Sequence, residues 1–219
     1  MTTGRHIENI EHHSIYAFVF PMPKKKAKRQ LIIDGAIQVF SRKGFQDSTI
    51  SEIAQSANVA EGTIYQYFRN KEDLFFSIPI DKTRQFFGEL ELHLQGIQGA
   101  TNKIRKFVWY YLYHLQANPD YARALMLEMR VNRNFAQGKP FKSFRPLTRK
   151  ILRIIEEGQE EGVLRRDVDM YLIRHLILGI LEHVVTRWLL RGEKYDLLCQ
   201  HTAVSALILQ GISNSDLKP

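Results

Sequence analysis

Cysteine and long uncharged apolar runs are scarce in this sequence, and each scarcity excludes a class of protein. The single cysteine, Cys199, cannot form an internal disulfide, so we expect a protein of the reducing cytoplasm. The most apolar stretch, residues 171–190, contains several charged side chains that a bilayer would not accept. The apolar run at residues 15–20 is too short for a signal-peptide core and lacks a basic flank. Neither a membrane-spanning nor an exported protein is expected.

The motifs of common enzymes are also missing. The sequence contains no HExxH metal motif, no phosphate-binding loop and no nucleophile elbow. His175 and His183 lie two helical turns apart, which is too far for one metal ion, and His114 and His201 are isolated. We therefore expect a protein that is not an enzyme and that needs no metal or other cofactor.

What the sequence does contain is an excess of positive charge. Its 31 Lys and Arg residues against 23 Asp and Glu residues give a formal charge of +8 and a pI near 9.6. This charge suits a polyanionic partner, although charge alone does not separate DNA from RNA or a membrane surface. With 219 residues, of which 44% are hydrophobic, the chain can bury a sizeable core.

Residues 49–74 carry the most informative pattern. Thr49 and Glu52 form a capping box at a helix start. Apolar residues then recur at helical spacing, at Ile50, Ile53, Ala54 and Ala57. Asn58 tolerates the left-handed conformation that a tight turn needs, and Asn70 with Asp73 gives a further N-cap after a second short helix. Two short helices joined by a turn are typical of a DNA-reading helix-turn-helix.

This stretch closely resembles the DNA-binding domain of the tetracycline-repressor (TetR) family. The resemblance covers roughly residues 28–76, including the helix that ends at Gly44-Phe45 and the run GTIYQYFRNK. It implies an all-α protein with an N-terminal three-helix DNA-binding domain and a C-terminal helical domain for ligand binding and dimerisation. We expect an N-terminal extension at 1–21, the DNA-binding domain at 22–70, and the ligand-binding and dimerisation domain at 71–219.

The resemblance also implies which residues contact DNA. Gln66 is the best candidate for reading a base, because its amide can pair with adenine. Tyr67 and Lys71 are expected to grip phosphates, whereas Tyr65 has the spacing of a residue packed beneath the helix. The basic run at 24–29 is expected to contact phosphates, in the manner of a minor-groove arm, although a solvated helix start is the alternative. The predicted DNA-binding set is Lys24, Lys25, Lys26, Lys28, Thr49, Gly62, Thr63, Gln66, Tyr67 and Lys71.

Beyond Lys71 the pattern stays helical to the end. We expect a helix over 71–94, bent or broken by Pro79, a helix that starts at Asn118-Pro119, and another over 141–158. The last two helices are expected at 167–191 and 196–210. In the family the corresponding pair packs against its symmetry mate as a four-helix bundle. The predicted dimerisation residues are Leu176, Ile177, Ile180, Val184, Leu198, Val204 and Leu207.

A second resemblance concerns the effector. The segments at 127–130 and 179–198 are similar to the family branch that regulates fatty-acid degradation, whose members release DNA on binding long-chain acyl-CoA. An acyl tail needs a long apolar channel and its phosphates need basic residues at the mouth, for which Arg133 and Arg191 are further candidates. The predicted ligand-binding set is Phe87, Leu90, Phe107, Tyr110, Tyr111, Met126, Met129, Arg130 and Arg187.

We therefore expect a cytoplasmic, homodimeric repressor that binds operator DNA and is released by a small apolar effector, with acyl-CoA as the first choice. One alternative is a regulator of efflux genes that responds to aromatic or cationic drugs, for which acidic residues such as Glu89, Glu91 and Glu128 would have to line the pocket. The alternative from another class is a helical binding module with a vestigial helix-turn-helix, supported by the repulsive Glu61 and the uncharged reading helix.

Overall fold

A computed structural model describes residues 24–132, 134–135 and 139–214, and regular structure in these ranges is helical. One isolated antiparallel bridge joins Leu164, in the loop after the helix Arg145–Glu160, to Ser213, just after the last helix. The all-α expectation is therefore confirmed. The proposed extension at 1–21 and Arg133 lie outside the described residues.

Most of the described chain belongs to α-helices. They are α1 (Lys24–Lys43), α2 (Ile50–Ser56), α3 (Glu61–Tyr65), α4 (Lys71–Leu94), α5 (Ala100–Ala117), α6 (Pro119–Arg123), α7 (Lys139–Lys142), α8 (Arg145–Glu160), α9 (Met170–Leu190) and α10 (His201–Ile212). A π-helical turn, Ala124–Met129, continues α6, and a 3₁₀ turn, Leu197–Gln200, precedes α10. The predicted helix over 141–158 is thus divided into α7 and α8.

Helices α1 to α3 and the start of α4 pack around one aromatic centre. The ring of Phe75 lies 5.1 Å from Phe40 and 4.6 Å from Phe45, measured between ring centroids. Ile53 and Ile64 are fully buried beside this cluster. We call this N-terminal unit, α1 to α3, the head. A unit of this size has a small core, so these aromatic contacts contribute to the apolar area that it buries.

Helix α4 runs through Pro79 without a break, so the break that we allowed for at this position does not occur. Proline removes one backbone hydrogen bond and crowds the preceding turn. Pro79 is buried, however, and its neighbour Ile78 is fully buried against the core. Tertiary packing of this kind outweighs the local preference of one residue. The head and the C-terminal region therefore share one continuous helix.

The C-terminal region is built around α5. This helix contacts α4, α8, α9 and α10, and its side chains at Tyr110 and Leu112 are fully buried. The amphipathic faces of the surrounding helices close over it, which is the usual arrangement of a helical bundle. Among the described residues no helix is long and apolar enough to cross a membrane.

Candidate functional site

The starts of α2 and α4, and the turn before α3, have the local geometry that the sequence predicts. The Thr49 hydroxyl accepts a hydrogen bond from the Glu52 amide at 3.2 Å, and the Thr49 amide donates to the Glu52 carboxylate at 3.0 Å. Asn58 adopts a left-handed conformation with φ of 52°. The Asn70 side chain accepts from the Asp73 amide at the start of α4. These three local signals fix where α2, α3 and α4 begin.

Helix α3 presents small and polar side chains outward. Ile64 and Phe68 are buried against the head, whereas Gly62 and Gln66 are exposed and Thr63 is half-exposed. A side chain added at Gly62 would meet open space, so the backbone can approach a DNA groove closely there. This placement is the one that DNA contact by Thr63 and Gln66 requires, and the contacts themselves remain predictions.

Tyr65, the last residue of α3, and Tyr67, two residues further on, have the opposite environments to those expected. Tyr65 is 55% exposed, whereas Tyr67 is half-buried and packs against the core beside Phe68. Successive residues on a helix point about 100° apart, so the residue after the buried Ile64 turns towards solvent. The interpretation of Tyr65 as a packed residue is therefore wrong, and Tyr65 belongs to the outward face.

Lys71 has a structural role that the sequence does not reveal. Its ammonium group donates to the backbone carbonyls of Phe45, Gln46 and Ser48 at 2.7, 3.2 and 2.7 Å, and it lies 4.6 Å from the centroid of the Phe45 ring. An ammonium has three hydrogens, and all three are used here. A phosphate contact from Lys71 would have to replace one of these bonds, so its predicted role in DNA binding loses support.

The basic run at 24–29 forms the start of a helix, which agrees with the alternative of a helix start and not with a separate minor-groove arm. Lys, Ala, Arg and Gln are good helix formers, and residues 24–30 form the start of α1. Lys24, Lys25, Lys26 and Lys28 are exposed. Arg29 instead pairs with Asp81 of α4 and lies 5.1 Å from the ring centroid of Phe68. The four lysines remain available for phosphates, whereas Arg29 fastens α1 to α4.

A cavity of about 450 Å³ lies between α4, α5, α6, α8 and α9. Its wall is mainly aromatic and aliphatic, from Phe86, Tyr111, Leu115, Tyr121, Leu125, Phe135, Phe141, Phe144, Leu147 and Leu178. The polar residues of the wall are Thr83, Arg130, Arg145, Thr148, Arg174, His175 and Glu182. An apolar pocket with a few convergent polar groups is the usual form of a small-molecule site.

Only part of the predicted ligand-binding set reaches this cavity. Tyr111 and Arg130 line it. The other predicted residues, Phe87, Leu90, Phe107, Tyr110, Met126, Met129 and Arg187, are not among its lining residues. Leu90, Tyr110 and Met129 are fully buried core, and Arg187 is an exposed residue of α9. Helical periodicity identifies an inward face, but it does not separate a cavity wall from solid core.

The residues on the exposed side of the cavity were not predicted from the sequence. Arg145 in the first turn of α8 and His175 on α9 are exposed, and Arg174 is half-buried beside them. Phe141 of α7 is 53% exposed although it lines the cavity. The available signal in the sequence was the aromatic and proline-rich stretch at 140–146. No local pattern, however, indicates that α7 and α8 pack against α9.

One ion pair stands in the cavity wall. Arg130 Nη1 lies 2.6 Å from Glu182 Oε1, and both side chains are largely covered. Burial raises the pKa of Glu182, while the charge of Arg130 opposes that shift. Burial also raises the pKa of Tyr111, which lines the same wall. The cost of desolvating a covered ion pair offsets much of the attraction between its charges, so the net stabilisation from this pair is small.

Comparison with known proteins identifies the chain. The sequence model of the bacterial regulatory proteins, tetR family, matches residues 32–78, and the model of the YsiA-like protein C-terminal region matches residues 80–211. The chain belongs to the TetR family. As a member it is a DNA-binding transcriptional regulator that responds to an effector ligand, and the expectation that it is not an enzyme is confirmed by its relatives.

Several relatives of this TetR-family chain are known. The fatty acid metabolism regulator protein of Bacillus subtilis is 31% identical over 193 residues, covering 88% of this chain and all of that protein. A crystal structure of FadR from Bacillus subtilis in complex with stearoyl-CoA is 32% identical, covers 84% of this chain and 98% of that one, and has a TM-score of 0.79. FadR from Bacillus halodurans, described as a fatty acid degradation regulator, is 31% identical over 83% of this chain and 94% of that one, with a TM-score of 0.78.

The predicted dimerisation residues of this TetR-family chain divide into two groups. Ile177 is fully buried and Val204 is 6% exposed, so both belong to the core of the single chain and cannot form a dimer face. Leu176 and Leu207 are exposed, at 37% and 66%. Ile180, Val184 and Leu198 are half-buried. The helical pattern correctly selected α9 and α10 as apolar, but an apolar helix between two neighbours has more than one buried face.

Proposed function

We propose that this protein is a homodimeric repressor that long-chain acyl-CoA releases from its operator DNA. The observation that carries the proposal is the aromatic cavity with a basic edge, in a chain 31% identical to a fatty acid metabolism regulator. The related FadR of Bacillus subtilis has been crystallised with stearoyl-CoA. The proposed division into a head at 22–70 and a body at 71–219 assigns DNA contact and effector contact to different parts of the chain.

The cavity wall suits an acyl-CoA in both of its halves. The aromatic and aliphatic side chains offer an acyl chain the apolar surroundings that it lacks in water. Arg145, Arg174 and His175 lie on the exposed side, where the phosphates of coenzyme A would remain in contact with solvent. Guanidinium groups form charge-assisted hydrogen bonds with phosphate oxygens. Arg145 also lies in the first turn of α8, where no acidic residue opposes an anion.

Dimerisation is supported by exposed leucines on the last two helices. Leu172 is 59% exposed and Leu176 37% exposed on α9, and Leu207 is 66% exposed on α10. On α9, Ile180 and Val184 continue the same face at four-residue spacing. A row of exposed apolar side chains is unfavourable in contact with water and is typical of a protein–protein interface. A symmetric pair would cover it and hold two α3 helices at the roughly 34–36 Å spacing of adjacent major grooves.

The proposal is tested by measuring operator binding with three competing compounds. DNA from upstream of the gene is titrated with the protein, and palmitoyl-CoA, free palmitate or a cationic dye is then added. We expect palmitoyl-CoA to release the DNA and the dye to have no effect. The single replacements Arg145→Glu and Arg174→Glu should each weaken release by palmitoyl-CoA, while Arg187→Glu, on an exposed part of α9 outside the cavity lining, serves as the charge-matched control. Release by the dye alone would contradict the proposal.

The second candidate function, a drug-responsive regulator of efflux genes, has one observation in its favour. Glu182 lines the cavity and could hold a cation. It is paired with Arg130, however. The three acidic residues expected for this alternative also have other partners, since Glu89 accepts from Tyr110, Glu91 pairs with Lys150, and Glu128 accepts from the Phe45 amide. The cationic dye in the same titration separates the two functions.

A further inference from the structure

The two short segments that resemble regulators of fatty-acid degradation meet at one point of the fold. The segment at 127–130 supplies Arg130, and the segment at 179–198 supplies Glu182. Their side chains form the ion pair of 2.6 Å in the cavity wall. Nothing in the sequence alone places these segments together, because Arg130 and Glu182 are 52 positions apart. The ion pair therefore links the two segments at the proposed effector site.

The same turn also reaches the DNA-binding head. Two residues before Arg130, the carboxylate of Glu128 accepts a hydrogen bond from the Phe45 amide at 3.0 Å. Gly44, just before it, has a φ of +75°, and a Cβ built there would lie 3.1 Å from the same carboxylate. Only glycine leaves room for this approach without strain. Glu128 therefore holds the end of α1, on the far side of the turn from the cavity.

The contact matters for DNA reading because residues 44–48 lead directly into α2. Lys71 binds the carbonyls of this segment, as described above, and Glu128 binds one of its amides. The segment then continues into Thr49, whose hydroxyl caps α2. The orientation of α2, and of the α3 helix after it, thus depends on a segment with one anchor in the head and one in the turn at 124–130, whose two ends line the cavity.

The backbone of the intervening turn departs from a regular α-helix. Residues Ala124–Met129 form a π-helical turn, closed by the hydrogen bond from the Arg130 amide to the Leu125 carbonyl at 3.1 Å. A π turn holds one residue more than an α turn, so conversion to α-helix would rotate the residues beyond it by about 100°. Leu125 and Arg130 line the cavity at the two ends of this turn, and Glu128 lies between them.

We infer that Glu128 positions the DNA-reading head and that Arg130 makes this positioning depend on the effector. An anionic group of the effector takes Arg130 from Glu182, the turn at 124–130 shifts, and Glu128 leaves the Phe45 amide. The segment at 44–48 then loses its second anchor, and the two reading helices of a dimer leave the spacing that the operator needs. This inference rests on the proposed function, in which acyl-CoA phosphates supply the anionic group.

Replacement of Glu128 tests the inference through the ratio of two operator affinities. Operator binding is measured with and without saturating palmitoyl-CoA for the wild type, Glu128→Ala and Glu128→Gln. We expect palmitoyl-CoA to weaken the wild type at least about tenfold and Glu128→Ala less than about twofold, since the variant has already lost the anchor. Glu128→Gln keeps an acceptor oxygen and should restore part of the wild-type ratio. Palmitoyl-CoA should bind DNA-free Glu128→Ala at least as tightly as wild type, because the released arrangement is favoured.

The control is Ser41→Ala, which removes a neighbouring hydrogen bond between α1 and α6. The Ser41 hydroxyl donates to Asp120 Oδ1 at 2.8 Å, and this bond involves neither Glu128 nor the segment at 44–48. Ser41→Ala should lower thermal stability but keep the wild-type ratio. A wild-type ratio in Glu128→Ala, or an equal loss in both variants, would overturn the inference. If palmitoyl-CoA does not change the operator affinity of the wild type, the proposed effector is wrong. The positioning role of Glu128 is then tested by operator affinity alone, and Glu128→Ala must lower that affinity more than Ser41→Ala does.

Discussion

Tyr65 ends α3 and Tyr67 lies two positions further on, and the two side chains have different tertiary environments. The sequence motif places both in the DNA-contacting region, but it does not say which one supports the helix. The structure exposes Tyr65 and packs Tyr67 against the head. Lys71 gives the same lesson, because three backbone carbonyls of the turn at 44–48 take the hydrogens that a phosphate would otherwise use. The motif thus predicted which region contacts DNA, but not the role of each residue in it.

Replacement of Tyr65 by alanine should weaken operator binding without unfolding the head. More than half of the Tyr65 side chain is in solvent, so its truncation costs little stability. We expect the operator Kd to rise by at least about fivefold, corresponding to about 1 kcal/mol, while the melting temperature stays within error. Tyr67→Ala, in contrast, should lower the melting temperature as well. Fluorescence anisotropy and thermal unfolding on both variants measure this, and an unchanged Kd for Tyr65→Ala would remove Tyr65 from the DNA face.

His114 gives a pH dependence at the scale of one residue. Burial lowers the pKa of His114 from 6.5 to about 4, and its Nε2 atom has no hydrogen-bond partner among the described residues. Glu89 lies 3.9 Å from Nδ1 and partly opposes the shift, whereas Lys82 adds to it. The unfolded chain takes up a proton as the pH falls below 6.5 while the native chain does not. Folding stability is therefore lost between pH 7 and pH 4.

We expect this histidine to cost the protein about 2 kcal/mol of unfolding free energy between pH 7 and pH 5. His114→Leu, which cannot bind a proton, should show a smaller loss by about that amount. Urea unfolding of both proteins at the two pH values measures the difference. Parallel pH profiles for wild type and variant would mean that His114 is protonated in the folded protein at pH 5.

Helix starts and turns were the elements that the sequence predicted best. Helix α4 spans Lys71–Leu94 as expected, because the Asn70 cap is a signal contained in a few neighbouring residues. The π turn at Ala124–Met129, the separation of α7 from α8 and the unbroken passage through Pro79 were not predicted. Each depends on packing between distant segments, as does the choice between core and cavity wall. The cavity therefore could be expected from the sequence, while its lining residues largely could not.

Gly35 determines how closely α1 and α2 approach in the head. A Cβ built at Gly35 would lie 2.8 Å from the Ala57 amide nitrogen and 2.9 Å from the Ala57 Cβ. Gly35→Ala must therefore push the two helices apart, and we expect a loss of about 1–3 kcal/mol in unfolding free energy together with weaker operator binding. Gly88→Ala is the matched control, since Gly88 lies in α4 with open space around it. That variant should gain up to about 1 kcal/mol. Urea unfolding distinguishes them, and equal effects would contradict the close approach.

At the scale of the whole molecule, one continuous helix and one turn connect the cavity, the proposed effector site, to the DNA-reading head. Helix α4 carries Phe86 in the cavity wall and Lys71 beneath the turn at 44–48. The turn at 124–130 touches both regions as well. A shift of α4 or of the turn at 124–130 changes the spacing of two reading helices only if a second copy of the chain is present. The exposed leucines of α9 and α10 are the surface proposed to bind that second copy.

Charge introduced on the proposed dimer surface should separate assembly from folding. Leu207→Glu places a carboxylate on an exposed position of α10, so we expect a folded monomer with at least about tenfold weaker operator binding. Leu92→Glu is the control, because Leu92 is 42% exposed on α4, away from α9 and α10. Sedimentation analysis measures the oligomeric state. A dimer that persists in Leu207→Glu would place the interface elsewhere.

The central claim is that the cavity and the DNA-reading head are thermodynamically coupled, and the most direct measurement is reciprocal. The Kd of palmitoyl-CoA is determined by calorimetry for the free protein and for the protein saturated with operator DNA. Because coupling between two sites is the same in both directions, the account predicts that DNA weakens palmitoyl-CoA binding by the factor with which palmitoyl-CoA weakens DNA binding, about tenfold or more. Equal affinities for the free and the DNA-bound protein would contradict it.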